Sequence, residues 1–145
     1  KAGLIHRGAG FAFALVEATV PKISLVVRKA YGGAYAVMGS KNLSGDINFA
    51  WPTAQIAVMG AAAAVVMIQG KQLEQTPPEQ RGYMKKVFMD FYDENMTSPY
   101  VAAERGYIDA MIQPSETRLK LRQALRQLAT KHVEDLPKKH PIAPM

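Results

Sequence analysis

Ile23-Ser24-Leu25-Val26-Val27 leads through Arg28-Lys29-Ala30 into Tyr31-Gly32-Gly33-Ala34-Tyr35-Ala36-Val37-Met38. The first five residues are rich in β-branched side chains and have the length of a buried strand, with Arg28 and Lys29 marking its exit. The paired glycine then separates that strand from a short apolar helical segment ending near Gly39. The arrangement recurs downstream. Ala54-Gln55-Ile56-Ala57-Val58 reads as a strand, Met59-Gly60-Ala61 as a glycine turn, and the alanine-rich run to Gln69 as a helix. Strands alternating with helices argue an α/β fold.

The flanking chain extends this pattern. Leu4, Phe11, Leu15 and Val16, with Gly8 and Ala12 between them, predict a helix from Leu4 to Thr19 that Pro21 ends. Asp46 to Trp51 is extended, and Gly70 to Pro78, polar with a double proline, reads as a surface loop. Met84, Val87, Phe88 and Phe91 predict a helix over Glu79 to Asn95 with one face exposed. Ser98 is an N-cap with Pro99 as first helical residue, and Gly106 stops the turn that follows. Ile108 to Ile112 is a last strand. Ser115 is the N-cap candidate for a helix from Glu116 to about Lys131, with Leu121, Ala124, Leu125 and Leu128 as its apolar stripe. Arg118, Arg122 and Arg126 share another face, which suits a solvated surface and a docking surface equally. One domain over residues 1–135 is expected, then an extended tail over 136–145 with three prolines and Lys138-Lys139.

The chain has 145 residues, 48% of them apolar and 21% charged, which predicts one globular unit with a packed core. The absence of cysteine excludes disulfides, thiol catalysis and thiolate metal sites, and agrees with a reducing compartment. The longest uncharged apolar run, Ile56 to Gln69, is too short to span a bilayer and lacks the basic flank of a signal peptide. A cytoplasmic location is expected, or the mitochondrial matrix in a eukaryote. Helical periodicity begins almost at Lys1, so a segment of a longer polypeptide is expected. The net charge of +6 divides into two basic ends and an acidic middle, a pattern suited to polyanions. Aromatics are not interleaved with the basic residues, which argues against nucleic acid.

No nucleophile and base pair stands out, since His6, His132 and His140 are scattered, and no metal-ligand spacing occurs. The alanines from Ala61 to Ala64 fit a close-packed helix contact or the floor of a ligand site. The glycine junctions carry the clearest chemistry. Glycine permits a tight turn and a close ligand approach, and the first N–H groups of a helix point outward with the positive end of its dipole behind them. A strand followed by Gly32-Gly33-Ala34 and a helix therefore supplies the donors of an oxyanion hole, although a purely structural turn has the same pattern.

Glu17-Ala18-Thr19-Val20-Pro21-Lys22, Arg28 to Tyr35, Asn48-Phe49-Ala50-Trp51-Pro52-Thr53-Ala54, Ile56 to Ala61, and Ser98-Pro99-Tyr100-Val101-Ala102-Ala103-Glu104-Arg105-Gly106-Tyr107-Ile108-Asp109 form a recognisable set. Together with Pro114 to Arg118 they resemble the C-terminal domain of the carboxyltransferase β subunits of biotin-dependent acyl-CoA carboxylases, of propionyl-CoA type, over nearly the whole chain. The resemblance implies a crotonase-like ββα superhelix, present here as part of the C-terminal domain. It implies a half-site, inactive alone, to which a biotin carboxylase/biotin carboxyl carrier α subunit brings covalently held biotin. The N-domain of a neighbouring β subunit would bind most of the acyl-CoA, in a hexamer, with no metal in this chain.

In that family the carboxyl carried by biotin is released as CO2, the biotin anion takes the α-proton of the acyl thioester, and the enolate attacks CO2. Fixed N–H donors serve such a reaction without a side-chain base. On this reading Gly33 and Ala34 are the catalytic donors, and Gly32, Tyr35, Ala36, Gly60 and Ala61 contact substrate. Propionyl-preferring relatives carry aspartate where this chain has Ala36, so room for a longer acyl chain is expected. A non-catalytic assembly module and a biotin-dependent decarboxylase subunit are the alternative readings.

Overall fold

The computed structural model describes residues 3–134, so the tail from Leu136, His140 and the boundary at residue 135 lie outside the described residues. In chain order the elements are α1 (Leu4–Glu17), β1 (Ile23–Val26), β2 (Lys29–Tyr31), α2 (Gly32–Val37), β3 (Ile47–Ala50), β4 (Gln55–Ala57), α3 (Ala61–Gln75) and α4 (Pro78–Tyr92). A π-helical turn (Asp93–Thr97), α5 (Pro99–Glu104), β5 (Ala110–Met111), a 3-10 turn (Pro114–Glu116) and α6 (Thr117–Gln127) complete them. Two short strands followed by a helix occur twice in succession, β1-β2-α2 and β3-β4-α3. All pairings are parallel: β1-β3-β5 form one sheet and β2-β4 a second. This is the ββα repeat expected of the crotonase-like class.

The sequence reading merged β2 into the exit of β1. Lys29-Ala30-Tyr31 is only three residues long, and its one exposed basic end disguises it; its pairing with Gln55-Ile56-Ala57 makes it a strand. A second correction concerns Gly70 to Pro78. Helix α3 continues through Gly70 to Gln75, and the stop comes at the double proline. Lys71, Gln72, Leu73, Glu74 and Gln75 are good helix formers, and polarity there marks an exposed helical turn rather than a loop. Similarly, α4 starts at Pro78 and gives way to the π turn after Tyr92. The last helix begins at Thr117, not after a Ser115 cap. Glu116 Oε2 accepts the Gln113 N–H at 2.9 Å, so the reciprocal cap is built one turn earlier.

The core is two clusters on either side of the three-stranded sheet. Val26, Ala50, Ala54, Ile56, Ala102 and Ile108 form one. Phe49, Ile112 and Ala124 form the other, with Leu121 and Trp51 packed against it. Trp51 also donates its indole N–H to Thr117 Oγ1 at 3.0 Å, which fixes the start of α6 on the sheet. Leu125, expected in the apolar stripe, is 55% exposed, because Ala124 alone is fully buried at the helix contact.

Two devices pin the periphery. Lys22 donates its ammonium to the carbonyls of Leu15 and Ala18 at 2.8 and 2.9 Å, capping the end of α1. Lys131 pairs with Asp46 at 2.8 Å and donates to the Val20 carbonyl at 3.1 Å, joining the segment after α6 to the start of the first sheet. Burial pushes the Asp46 carboxyl up, but hydrogen bonds from Lys131 and the Lys22 N–H, with the charges of both lysines, outweigh it and hold the group below its ordinary value. No helix among the described residues is long and apolar enough to cross a membrane. Apolar side chains remain uncovered on α1 (Phe11, Val16) and on α3, where Val66, Met67 and Ile68 stand exposed.

Candidate functional site

Register brings the two glycine junctions together. Tyr31 stands opposite Ala57 at the last pair of the parallel β2-β4 ladder, so both strands leave the sheet side by side and each enters a helix. At the first junction Gly32 has φ +58, a conformation that a side chain disfavours, and a Cβ there would sit 2.9 Å from the Val58 carbonyl oxygen. That close approach turns the chain into α2. The next residue, Gly33, differs: nothing lies within 4 Å of the position its Cβ would take. The first-turn N–H groups of α2 have no intrahelical acceptor, as in any α-helix.

In front of Gly33 is a cleft of about 450 Å³. Gly32, Gly33, Tyr35 and Ala36 line it from α2, and Ile56, Ala57 and Val58 from β4. Asn42 adds to the lining from the loop after α2, and Tyr92, Met96, Val101, Ala102, Arg105 and Tyr107 from the α4-α5 region. Four of the seven site residues expected from sequence therefore share one cavity. Ala34 lines a different cavity of about 510 Å³, on the flank of α2 that faces β1 and β2.

Gly60 and Ala61 stand apart from the cleft. A Cβ on Gly60 would come 3.3 Å from the Tyr31 ring, and Ala61 is 6% exposed. Ala61 and Ala64 are buried while Ala62 and Ala63 are exposed, the pattern of a helix held close by its small residues. The Tyr31 hydroxyl donates to Gln55 Oε1 at 2.7 Å; burial, then the charge of Asp93 and the neighbouring Tyr92, push its pKa up. Burial likewise raises Tyr35, against a smaller opposing effect of a hydrogen bond with Asn48.

The loop that follows α2 is held by polar groups. Ser40 Oγ donates to the Ala36 carbonyl at 3.1 Å, and Ser24 Oγ to that of Gly39 at 2.8 Å. Lys41 pairs with Asp109, which also accepts the N–H of the fully buried Asn48 at 2.8 Å. Burial raises the Asp109 carboxyl, yet the Lys41 ammonium and the Asn48 N–H together lower it below its ordinary value. His6 and His132 are exposed, and no group of three metal-ligating side chains occurs among the described residues.

The lining from the α4-α5 region was missed by the sequence reading as part of the site. Val101 to Tyr107 belonged to the stretches that carried the resemblance, so the signal existed. Nothing in a sequence tells that α5 comes to line the same cleft as α2.

Comparison with known proteins agrees with this architecture. The carboxyl transferase domain family matches residues 1–142. The biotin-dependent long chain acyl-coenzyme A carboxylase β4 subunit of Mycobacterium tuberculosis is 50% identical over 92% of this chain and 25% of its own length. The acetyl-/propionyl-coenzyme A carboxylase β5 subunit of Mycobacterium leprae is also 50% identical, over 99% of this chain and 26% of its own. The chain thus spans about a quarter of the length of these relatives. Among solved structures, transcarboxylase 12S, described as a hexamer and bound to methylmalonyl-coenzyme A, superposes with TM-score 0.91 at 42% identity, over 99% of this chain and 27% of its own. The β subunit of P. aeruginosa geranyl-CoA carboxylase gives TM-score 0.75 at 27% identity, over 99% and 31% of the two chains.

Proposed function

The chain belongs to the carboxyl transferase domain family, and from that premise we propose that it forms the biotin-facing part of the carboxyltransferase site in a β subunit of a biotin-dependent acyl-CoA carboxylase. The observation that carries this reading is Gly33: a glycine with ordinary φ and open space at its Cβ, in the first turn of α2 and lining the cleft. A planar ureido group with a hydrogen-bond-accepting oxygen fits such a mouth.

Biotin, delivered by a carrier subunit, supplies the activated carboxyl group and then a base for the α-proton of the acyl thioester. This chain's residues bind and orient. The Gly33 N–H would donate to the ureido oxygen, where a single preorganised donor is worth about 3 kcal/mol of barrier, and the Ala34 N–H would join it from the same helical turn, although Ala34 itself lines the neighbouring cavity. Ile56, Val58 and Val101 present apolar walls, and excluding water there strengthens those hydrogen bonds. Assembly into a hexamer, with the N-domain of a neighbouring β subunit holding most of the acyl-CoA, is part of the same proposal, as is a partner subunit carrying biotin carboxylase and carrier functions.

Ala36 in the cleft leaves room for a long acyl chain. Overall identity does not choose a chain length, because relatives at the same 50% are named for long-chain and for acetyl-/propionyl substrates.

The test is Gly33→Ala in the full-length subunit with its biotin-carrying partner. The added methyl meets nothing in the fold but intrudes on the cleft, so carboxyl transfer is expected to fall roughly hundredfold while assembly and thermal stability persist. Activity within twofold of the parent would overturn the reading. Run from acetyl- to long-chain acyl-CoA, the same assay of the parent enzyme tests Ala36; turnover confined to acetyl and propionyl would remove that part.

A further inference from the structure

The cleft holds one charged side chain that the reading above does not use. Arg105 follows α5 directly and is the only cationic or anionic residue among the described ones lining the cavity. Its backbone is locked: the Arg105 N–H donates to the Val101 carbonyl at 3.2 Å, Gly106 to Ala103 at 3.0 Å, and Tyr107 to Ala102 at 2.8 Å. Among the described residues no carboxylate or carbonyl accepts from its guanidinium. Two other polar groups of the lining are committed: Tyr35 donates its hydroxyl to the Tyr107 carbonyl at 3.4 Å, and Tyr92 donates to that of Met59 at 3.3 Å; the neutral Asn42 amide and Tyr107 hydroxyl complete the polar lining.

Arg105 is exposed, and an unpaired guanidinium on a residue lining a largely apolar cavity suits an anion, its planar fork matching a carboxylate through two parallel hydrogen bonds. A single cation suits a monoanion; the phosphates of a coenzyme A moiety would require several. Gly32, Gly33 and Ala36 line the same cleft, where the reacting end of a substrate would lie. We propose that Arg105 binds the carboxylate of the carboxylated acyl thioester, an inference that rests on the carboxyltransferase reading of the site. Arg105 would thus distinguish the carboxylated thioester from its uncarboxylated counterpart, holding the newly made carboxylate before release or presenting it in the reverse direction. At the end of α5 an arginine also complements the helix dipole, and that bland role predicts no such discrimination.

The experiment measures binding, not turnover alone. Titration calorimetry on the full-length subunit, assembled with its partner, would compare malonyl- and methylmalonyl-CoA with acetyl- and propionyl-CoA for the parent, Arg105→Gln and Arg105→Lys. Loss of one charge-assisted contact is expected to weaken the carboxylated ligands by about tenfold or more in Arg105→Gln, with the uncarboxylated ligands within twofold and Arg105→Lys in between. Equal weakening of both ligand classes would assign Arg105 to the coenzyme moiety or to the fold and overturn the proposal. Unchanged affinity for all four ligands would overturn it as well. A parent enzyme that binds these thioesters yet transfers no carboxyl group would instead sink the carboxyltransferase reading, with the Arg105 contrast still readable.

Discussion

The junctions β2-α2 and β4-α3 are written almost alike in sequence, as strand, glycine, alanine, helix, and they lie side by side. Their surroundings separate them. At β2-α2 the glycine after the turn opens on a cleft, whereas at β4-α3 the Tyr31 ring lies against Gly60 and Ala61 is buried. The first junction has a space for a ligand. The second is filled by a side chain of the first, so one junction acts as the support of the other. A glycine pattern tells where a backbone can approach something closely; only the neighbours tell whether that something is a ligand or the protein itself.

Substitutions can break this contrast, ordered by their expected effect on stability. Gly32→Ala should be the most damaging, because it joins φ +58 to a 2.9 Å approach on the Val58 carbonyl oxygen. A loss of about 2–3 kcal/mol is expected, read as the shift of the urea midpoint of the full-length subunit. Gly60→Ala asks only that the Tyr31 ring give by a few tenths of an ångström from 3.3 Å. About 1 kcal/mol is expected, and a cost equal to that of Gly32→Ala would mean the second junction is as tightly closed as the first.

Next comes Asp109→Asn, which removes the charge that Lys41 meets in the loop after α2. With the pair's side chains 38% and 32% exposed, under about 1 kcal/mol is expected at neutral pH. The sign follows from the lowered folded-state pKa of Asp109. Its contribution is complete above the ordinary aspartate range and is lost as pH falls through the depressed value, so the gap between parent and variant should start to narrow below about pH 4 and close only below the depressed value. A gap that persists unchanged in acid would assign the pair no role. Gly33→Ala has the smallest expected effect on stability, from neutral to a gain of about 0.5–1 kcal/mol, although it is the change expected to cost the most activity. A clear destabilisation would make Gly33 a structural glycine like Gly32.

Much of the architecture was legible because it is local. Pro21, Ser98-Pro99 and the glycines Gly39, Gly60 and Gly106 punctuate the chain where elements start or end, and the β-branched run from Ile23 announces a strand on its own. What escaped is not local. β2 is a strand only because β4 pairs with it, and the polar end of α3 is helical because nothing but the double proline stops it. The same division holds at the site. Gly32, Gly33, Tyr35 and Ala36 sit on one short stretch, but Arg105 and Tyr107 reach the cleft through the packing of α5 against the first core cluster, which no spacing encodes.

The Lys131-Asp46 contact joins residues 85 positions apart, with both side chains largely shielded from solvent, at 14% and 21% exposure. A tie of that span works as a latch across the molecule: α6 cannot lift from the sheet by fraying at its far end while the latch is closed. Hydrogen exchange in α6 should therefore follow the opening of the sheet itself rather than run ahead of it. Added salt should leave that behaviour nearly unchanged, because a shielded pair is screened little.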